Sequence, residues 1–124
     1  MILVDTSVWI DHLRAGDAEL AAQLEDRRVL GHPWITGELA LGQPSARKEL
    51  LSLLANLPQA EVASTGEVLA LIERRQLYGR GIGYVDAQLL AATLLTQGTT
   101  IWTRDKRLGA AAADLGVADA TRSP

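Results

Sequence analysis

The sequence predicts an α/β sandwich built on a mainly parallel sheet. Three observations carry this: short β-prone runs alternate with amphipathic stretches of helix length, two of those runs end at or near an aspartate, and the 124 residues contain no internal repeat or linker. The chain has the length of one domain, expected to span residues 1–120, with residues 121–124 as a frayed tail.

Ile2, Leu3 and Val4 are apolar without interruption until Asp5, the pattern of a central strand covered on both faces. A helix is expected at once, capped by Thr6 or Ser7, with Val8, Trp9, Ile10 and Leu13 as its buried stripe and Gly16 as its stop. Asp17 opens a second amphipathic helix that turns Leu20, Ala21 and Leu24 inward, and Val29 and Leu30 make a short strand. Pro33 suits the first turn of a helix running through Glu38 to Leu41, closed by Gly42 and Pro44.

Residues 45–57 read as a clear helix, with Leu50, Leu53, Leu54 and Leu57 on one face and Leu51 off it. Past Pro58 a brief strand is expected at Glu61–Ala63, then a helix over Thr65–Tyr78 with Val68, Leu69, Leu71 and Ile72 inside. The run Gly79-Arg80-Gly81-Ile82-Gly83 is the most flexible segment. It leads into an apolar helix from Val85 to about Gln97; Thr99–Thr103 is β-prone, Asp105–Ala113 helical, and Val117 begins a last edge strand.

The absence of cysteine excludes disulfides, thiolate metal sites and thiol nucleophiles. The two histidines, His12 and His32, have no companion at metal-ligand spacing and are expected to be polar packing. Any metal is therefore expected on carboxylate oxygens, which favour Mg²⁺ or Mn²⁺ over Zn²⁺. No apolar stretch approaches the ~20 residues of a spanning helix, and the opening run lacks a basic segment ahead of it, so a soluble cytoplasmic protein is expected. The net charge of −3 argues against a nucleic-acid binder held by phosphate contacts alone. That objection weakens if the negative charge is gathered at a metal site, because bound cations invert the local field.

Four acids stand out. Asp5 ends an apolar strand, at the carboxyl edge where open α/β sheets bind ligands. Asp105, just beyond Ile101-Trp102-Thr103-Arg104, repeats that placement. Asp86 lies in the first turn of a helix whose neighbours are apolar, so its charge wants a partner. Glu38, in Ile35-Thr36-Gly37-Glu38-Leu39, has no basic residue at helical spacing. Each has a simpler reading as a helix cap or a surface acid, and Asp11, Asp17, Glu19, Glu25, Asp26, Glu49, Glu67, Glu73, Asp114 and Asp119 read as solvated surface.

Taken together, Ile-Leu-Val-Asp5-Thr-Ser-Val-Trp-Ile-Asp, Ile-Thr-Gly-Glu38-Leu, Gly-Tyr-Val-Asp86-Ala-Gln-Leu-Leu-Ala-Ala-Thr and Trp-Thr103-Arg-Asp105-Lys-Arg-Leu resemble the PIN-domain family, most closely the VapC-type toxins of bacterial toxin–antitoxin pairs. The match runs almost end to end. The resemblance implies a three-layer sandwich whose five-stranded sheet has the order 3-2-1-4-5, with the strands before Asp5 and Asp105 adjacent at the switch point. It implies a Mg²⁺- or Mn²⁺-dependent endoribonuclease with Asp5, Glu38 and Asp86 as main ligands and Asp105 completing the site. Thr6 or Thr103 would orient them, and Ser7 either joins the site or only caps a helix.

Water would attack the RNA phosphodiester, leaving a 5′-phosphate and a 3′-hydroxyl. Arg80, Arg104, Lys106 and Arg107 are the candidate RNA contacts. A small VapB-like antitoxin and homodimerisation are implied as well, with Trp9, Leu13, Trp34, Leu51 and Leu54 as candidate contact residues. The main rivals fit less well: a phospho-acceptor receiver domain or an aspartate-nucleophile phosphatase needs a further acid close to Asp5, where Thr6 and Ser7 stand, and a binding scaffold need not retain all four acids.

Overall fold

The computed structural model describes residues 1–119; the tail expected at 121–124 lies outside the described residues. The elements are β1 (Ile2–Val4), α1 (Thr6–Ala15), α2 (Ala18–Glu25), β2 (Val29–Leu30), α3 (Pro33–Ala40), α4 (Arg47–Asn56), α5 (Thr65–Arg74), α6 (Tyr84–Leu95), β3 (Thr100–Trp102) and α7 (Lys106–Asp114). The sheet is parallel, in the order β2-β1-β3. Ile2, Leu3 and Val4 of β1 alternate between its faces yet are all buried, so both faces are covered, as a central parallel strand requires.

Five strands were expected and three are present among the described residues. The two outer positions are held by single parallel bridges, Gly31 with Gln59 beside β2 and Ile101 with Ala118 beside β3. The segment expected as a strand at Glu61–Ala63 forms none. After Ala60 N–H bonds the Gly31 carbonyl at 2.9 Å, Glu61 N–H turns to the Thr96 hydroxyl at 2.9 Å, which takes the next donor away from the ladder. At the other edge, Ile101 N–H bonds the Val117 carbonyl at 2.8 Å and Asp119 N–H bonds the Ile101 carbonyl at 3.0 Å.

The helices differ from expectation where tertiary contacts choose the face. In α1, Val8 and Trp9 are buried, whereas Ile10 and Leu13 are exposed at 38% and 40%. Its cap position is Asp5, without a side-chain cap bond, and neither Thr6 nor Ser7 serves there. In α4, Leu50 and Leu54 are buried and Leu51 packs on the core, while Leu53 is exposed. In α5, Val68 is buried and Leu69 is exposed.

α5 stops at Arg74 rather than Tyr78 because Gln76 takes a left-handed φ of 53°. Leu77 N–H then bonds the Ile72 carbonyl at 3.0 Å and Gln76 N–H the Glu73 carbonyl at 3.3 Å, a Schellman closure that turns Leu77 into the core. The start of α5 carries a reciprocal Ser64–Glu67 capping box.

Candidate active site

Register brings the two strand-end aspartates to one edge. β1 and β3 pair Val4 with Trp102, and Asp5 N–H continues the ladder to the Trp102 carbonyl at 2.9 Å. Asp5 is buried, and its Oδ2 accepts two hydroxyls: Ser7 Oγ at 2.7 Å and Thr103 Oγ1 at 2.8 Å. Each hydroxyl in turn accepts a backbone N–H from the β3 side, Ser7 from Arg104 at 3.0 Å and Thr103 from Asp105 at 3.1 Å. A carboxylate only accepts, so both hydroxyl protons point to Asp5. Ser7 is thus part of the Asp5 network, and with both hydroxyls on Oδ2, Oδ1 remains the oxygen that can meet a ligand.

Asp105 caps α7 through Oδ1, which accepts Arg107 N–H at 2.9 Å and Leu108 N–H at 3.0 Å. Capping leaves Oδ2 out of these two bonds. Glu38, exposed on α3, accepts the Thr6 hydroxyl at 2.7 Å, which ties α3 to the residue after Asp5. Asp86 sits in the first turn of α6 and accepts Gly83 N–H at 2.9 Å. Burial pushes the Asp86 carboxyl up; the Gly83 bond opposes this, and the charges of Asp5, Asp105 and Glu38 add to the rise. The fold therefore brings the other three predicted acids within electrostatic reach of Asp86.

Arg104, expected among the RNA contacts, is committed elsewhere. Its guanidinium bonds Asp11 at 2.7 Å, makes a short bond to Asp17, and lies 5.6 Å from the Trp102 ring centroid. Asp11 and Asp17 are correspondingly ion-paired and not merely solvated. Asp17 also caps α2 by accepting Leu20 N–H, and that bond, followed by Arg104, holds its carboxyl below the ordinary value. The clasp latches the Thr103–Asp105 segment to α1 and α2. Its sequence signal is faint, since charged residues on helix faces normally read as solvent-facing.

Arg80 pairs with Asp114 at 2.8 Å, and the side chain of Arg107 lies against Gly81, whose φ of 77° no β-carbon would suit. Ile82 packs on the core, so the glycine-rich loop is tethered at several points. Lys106 is exposed beside Asp105. His12 Nδ1 accepts Asp17 N–H at 2.9 Å and buried His32 Nδ1 accepts Trp34 N–H at 3.1 Å, so both act in packing and capping.

The donor set suits a hard divalent cation: oxygen ligands only, one desolvated carboxyl raised by three neighbouring charges, and no thiolate in the chain. Among the described residues, no three acids or histidines converge as a closed direct-ligand set. Mg²⁺ commonly keeps several waters and takes one or two carboxylates directly, so a partly water-mediated site fits this spacing.

Ribonuclease VapC32 of Mycobacterium tuberculosis (strain CDC 1551 / Oshkosh) and the protein of the same name from strain ATCC 25618 / H37Rv are each 56% identical to this chain over 118 residues, covering 95% of both partners. Residues 2–114 match the PIN domain, so the chain belongs to the PIN-domain family.

Proposed function

We propose that the chain is a divalent-metal-dependent endoribonuclease acting as the cytoplasmic toxin of a VapBC-type pair. The observation that carries this reading is the gathering of Asp5, Glu38, Asp86 and Asp105 at one sheet edge, where the charges of Asp5, Asp105 and Glu38 leave Asp86 short of countercharge. The similarity to proteins named ribonuclease supports it.

Asp5, Glu38 and Asp86 would hold Mg²⁺ or Mn²⁺, with Asp105 joining directly or through water. Bound there, the cation supplies a more acidic water and neutralises charge at the phosphodiester. Ser7 and Thr103 fix the Asp5 carboxylate by occupying one of its oxygens, and Thr6 does the same for Glu38. No histidine or lysine is assigned a proton-transfer role, since both histidines are engaged in capping.

Lys106 is the basic residue placed to meet the RNA backbone, with Arg80 able to contribute if its pair with Asp114 opens. For the antitoxin and dimer contacts, Trp9 and Leu54 are excluded by their burial and Leu51 packs on the core, while Leu13 and Trp34 remain exposed and Ile10 joins Leu13 on α1. Homodimerisation belongs to the same reading. Among the described residues, no helix is long and apolar enough to cross a membrane.

The test is cleavage of total RNA by purified protein freed of any partner, with Mg²⁺ or Mn²⁺, with chelator, and with Asp5→Asn and Asp86→Asn. Metal-dependent cutting lost in both variants is expected. A wild type that cuts nothing with either metal rejects the reading.

A further inference from the structure

We propose that Arg104 is a positioning residue for the carboxylate centre: by clasping Asp11 and Asp17 it keeps the Ser7 and Thr103 hydroxyls on Asp5, and so sets how tightly Asp5 and Asp105 hold a divalent cation; this rests on the nuclease reading above. Its two terminal nitrogens serve different acids, Nη1 bonding Asp11 at 2.7 Å and Nη2 making a short bond to Asp17. The guanidinium also lies 5.6 Å from the ring centroid of Trp102, on the strand that leads to the site. Asp17 is itself fixed, since its Oδ1 accepts Leu20 N–H at 2.9 Å and its backbone N–H donates to His12 Nδ1 at 2.9 Å. The cation is therefore held on a frame of α1, α2 and β3 rather than by one flexible partner.

The same residue reaches the site through its backbone. Arg104 N–H donates to Ser7 Oγ at 3.0 Å, and Ser7 Oγ donates to Asp5 Oδ2 at 2.7 Å. Its neighbours continue the chain of bonds: Thr103 Oγ1 donates to the same oxygen at 2.8 Å and accepts Asp105 N–H at 3.1 Å. Asp11 stands four residues after Ser7 on α1, so the backbone and the side chain of Arg104 grip one face of that helix a turn apart. Two grips fix the direction of the Thr103–Asp105 segment, where one would let it pivot about Ser7.

The form of the side chain suits this role. A planar fork with separate donors bridges two carboxylates at once, whereas an ammonium is a single point of charge. An exposed ion pair contributes little stability of its own in water, so the value of this one is the direction it gives the segment. Neither Asp11 nor Asp17 is among the charges that raise the Asp86 carboxyl, so the clasp lies outside the centre that it orients. Occupied by two acids, the guanidinium acts on Asp5 and Asp105 through the segment that carries it.

The test reads metal binding, amide exchange and cleavage with the full chain. In calorimetric titration without RNA, Arg104→Ala should weaken Mn²⁺ binding at least about tenfold, Asp11→Asn should weaken it less, and Arg104→Lys should restore only part of the loss. In chelator, the amide protons of residues 104 and 105 should exchange at least about tenfold faster in Arg104→Ala while those of α5 keep their rates. In saturating Mn²⁺, the KM of Arg104→Ala for RNA should stay within about threefold of wild type and kcat should recover most of its value. Unchanged Mn²⁺ affinity in a folded Arg104→Ala, or unchanged exchange at 104 and 105, overturns the proposal and leaves the nuclease reading standing. A raised KM with Mn²⁺ affinity unchanged makes Arg104 an RNA contact and also overturns it, as does full restoration by Arg104→Lys. A wild type that binds no Mn²⁺ overturns it outright. If the wild type binds Mn²⁺ but cuts no RNA, the nuclease reading fails, and the affinity and exchange measurements judge Arg104 by themselves. Should Arg104→Ala not fold, Asp11→Asn carries both measurements, and values equal to wild type overturn the proposal.

Discussion

The two strand-end acids and the two helix-borne acids are held in different ways. Asp5 is buried with two hydroxyl donors, and Asp105 is pinned by two backbone N–H groups. Glu38 has one hydroxyl donor on an exposed face, and Asp86 has one backbone donor against burial and three like charges. The strand-end half is satisfied as it stands; in the other, Asp86 is charge-frustrated. On the proposed reading, preorganisation and metal affinity are separable here, since hydrogen bonds place the first half and uncompensated charge at Asp86 would draw metal to the second.

Asp5→Asn and Asp86→Asn break the contrast most sharply. Each should lower metal-dependent cleavage by on the order of a thousandfold, read from initial rates on RNA. Their effects on folding should have opposite signs in chelator. Asp5→Asn weakens two hydrogen bonds to a buried charge and should cost about 1–3 kcal/mol in denaturant unfolding. Asp86→Asn keeps an acceptor for Gly83 but removes the frustrated charge, so its Tm should rise.

Adding Mg²⁺ to the wild type should raise its Tm and shrink the advantage of Asp86→Asn. An Asp86→Asn protein less stable than wild type in chelator would show that the four acids are not frustrated.

Ser7→Ala and Thr103→Ala probe the satisfied half. Each should reduce cleavage by about ten- to a hundredfold, and raising the metal concentration should recover part of the loss if the hydroxyls act by orienting Asp5. No recovery at any metal concentration would place their effect in the chemistry instead.

The pH dependence sharpens the comparison further. The raised Asp86 carboxyl means that its ionised form is penalised in the folded state, so its contribution to stability in chelator should fall as pH rises from the unfolded value of 3.8 through the higher folded value, and Asp86→Asn should remove that contribution. Asp17 has the opposite sign. Its lowered carboxyl contributes stability that is present above 3.8 and lost as pH drops through the lower folded value, so Asp17→Asn should flatten the acid limb of the unfolding curve. The smallest effect is expected for Lys106→Ala, a loss of binding that is uniform across RNA sequences and diminishes as salt is raised, checked by KM at two ionic strengths.

The sequence was most legible where a residue's role follows from its place on a short apolar strand or at a helix start. Ile2–Val4 stopped by Asp5, Ile101–Trp102 followed by Asp105, and Asp86 opening an apolar helix could each be placed from local pattern. Glu38 was found through the resemblance, because an exposed glutamate on a helix carries no signal of its own. The Arg104 clasp was misread because its partners Asp11 and Asp17 come from a helix and a cap far away in the chain, and a long cation beside the site looks like a phosphate ligand until its bonds are seen. Leu53 and Leu69 were placed inside because periodicity marks an apolar stripe but does not say where the stripe's edge meets solvent.

By itself, then, the sequence determined most of the order of strands and helices, the parallel sheet at the centre and the four candidate acids, because strand patterning, caps and the motif spacings are local in the chain. Only the tertiary structure decided that Ser7 and Thr103 share one oxygen of Asp5, that Arg104 is occupied, that the outer sheet positions shrink to single bridges, and that Trp34 stays exposed beside Glu38. Each of these depends on a donor, acceptor or ring choosing among partners from distant parts of the chain, and that choice exists only once the register of β1 against β3 has brought them together.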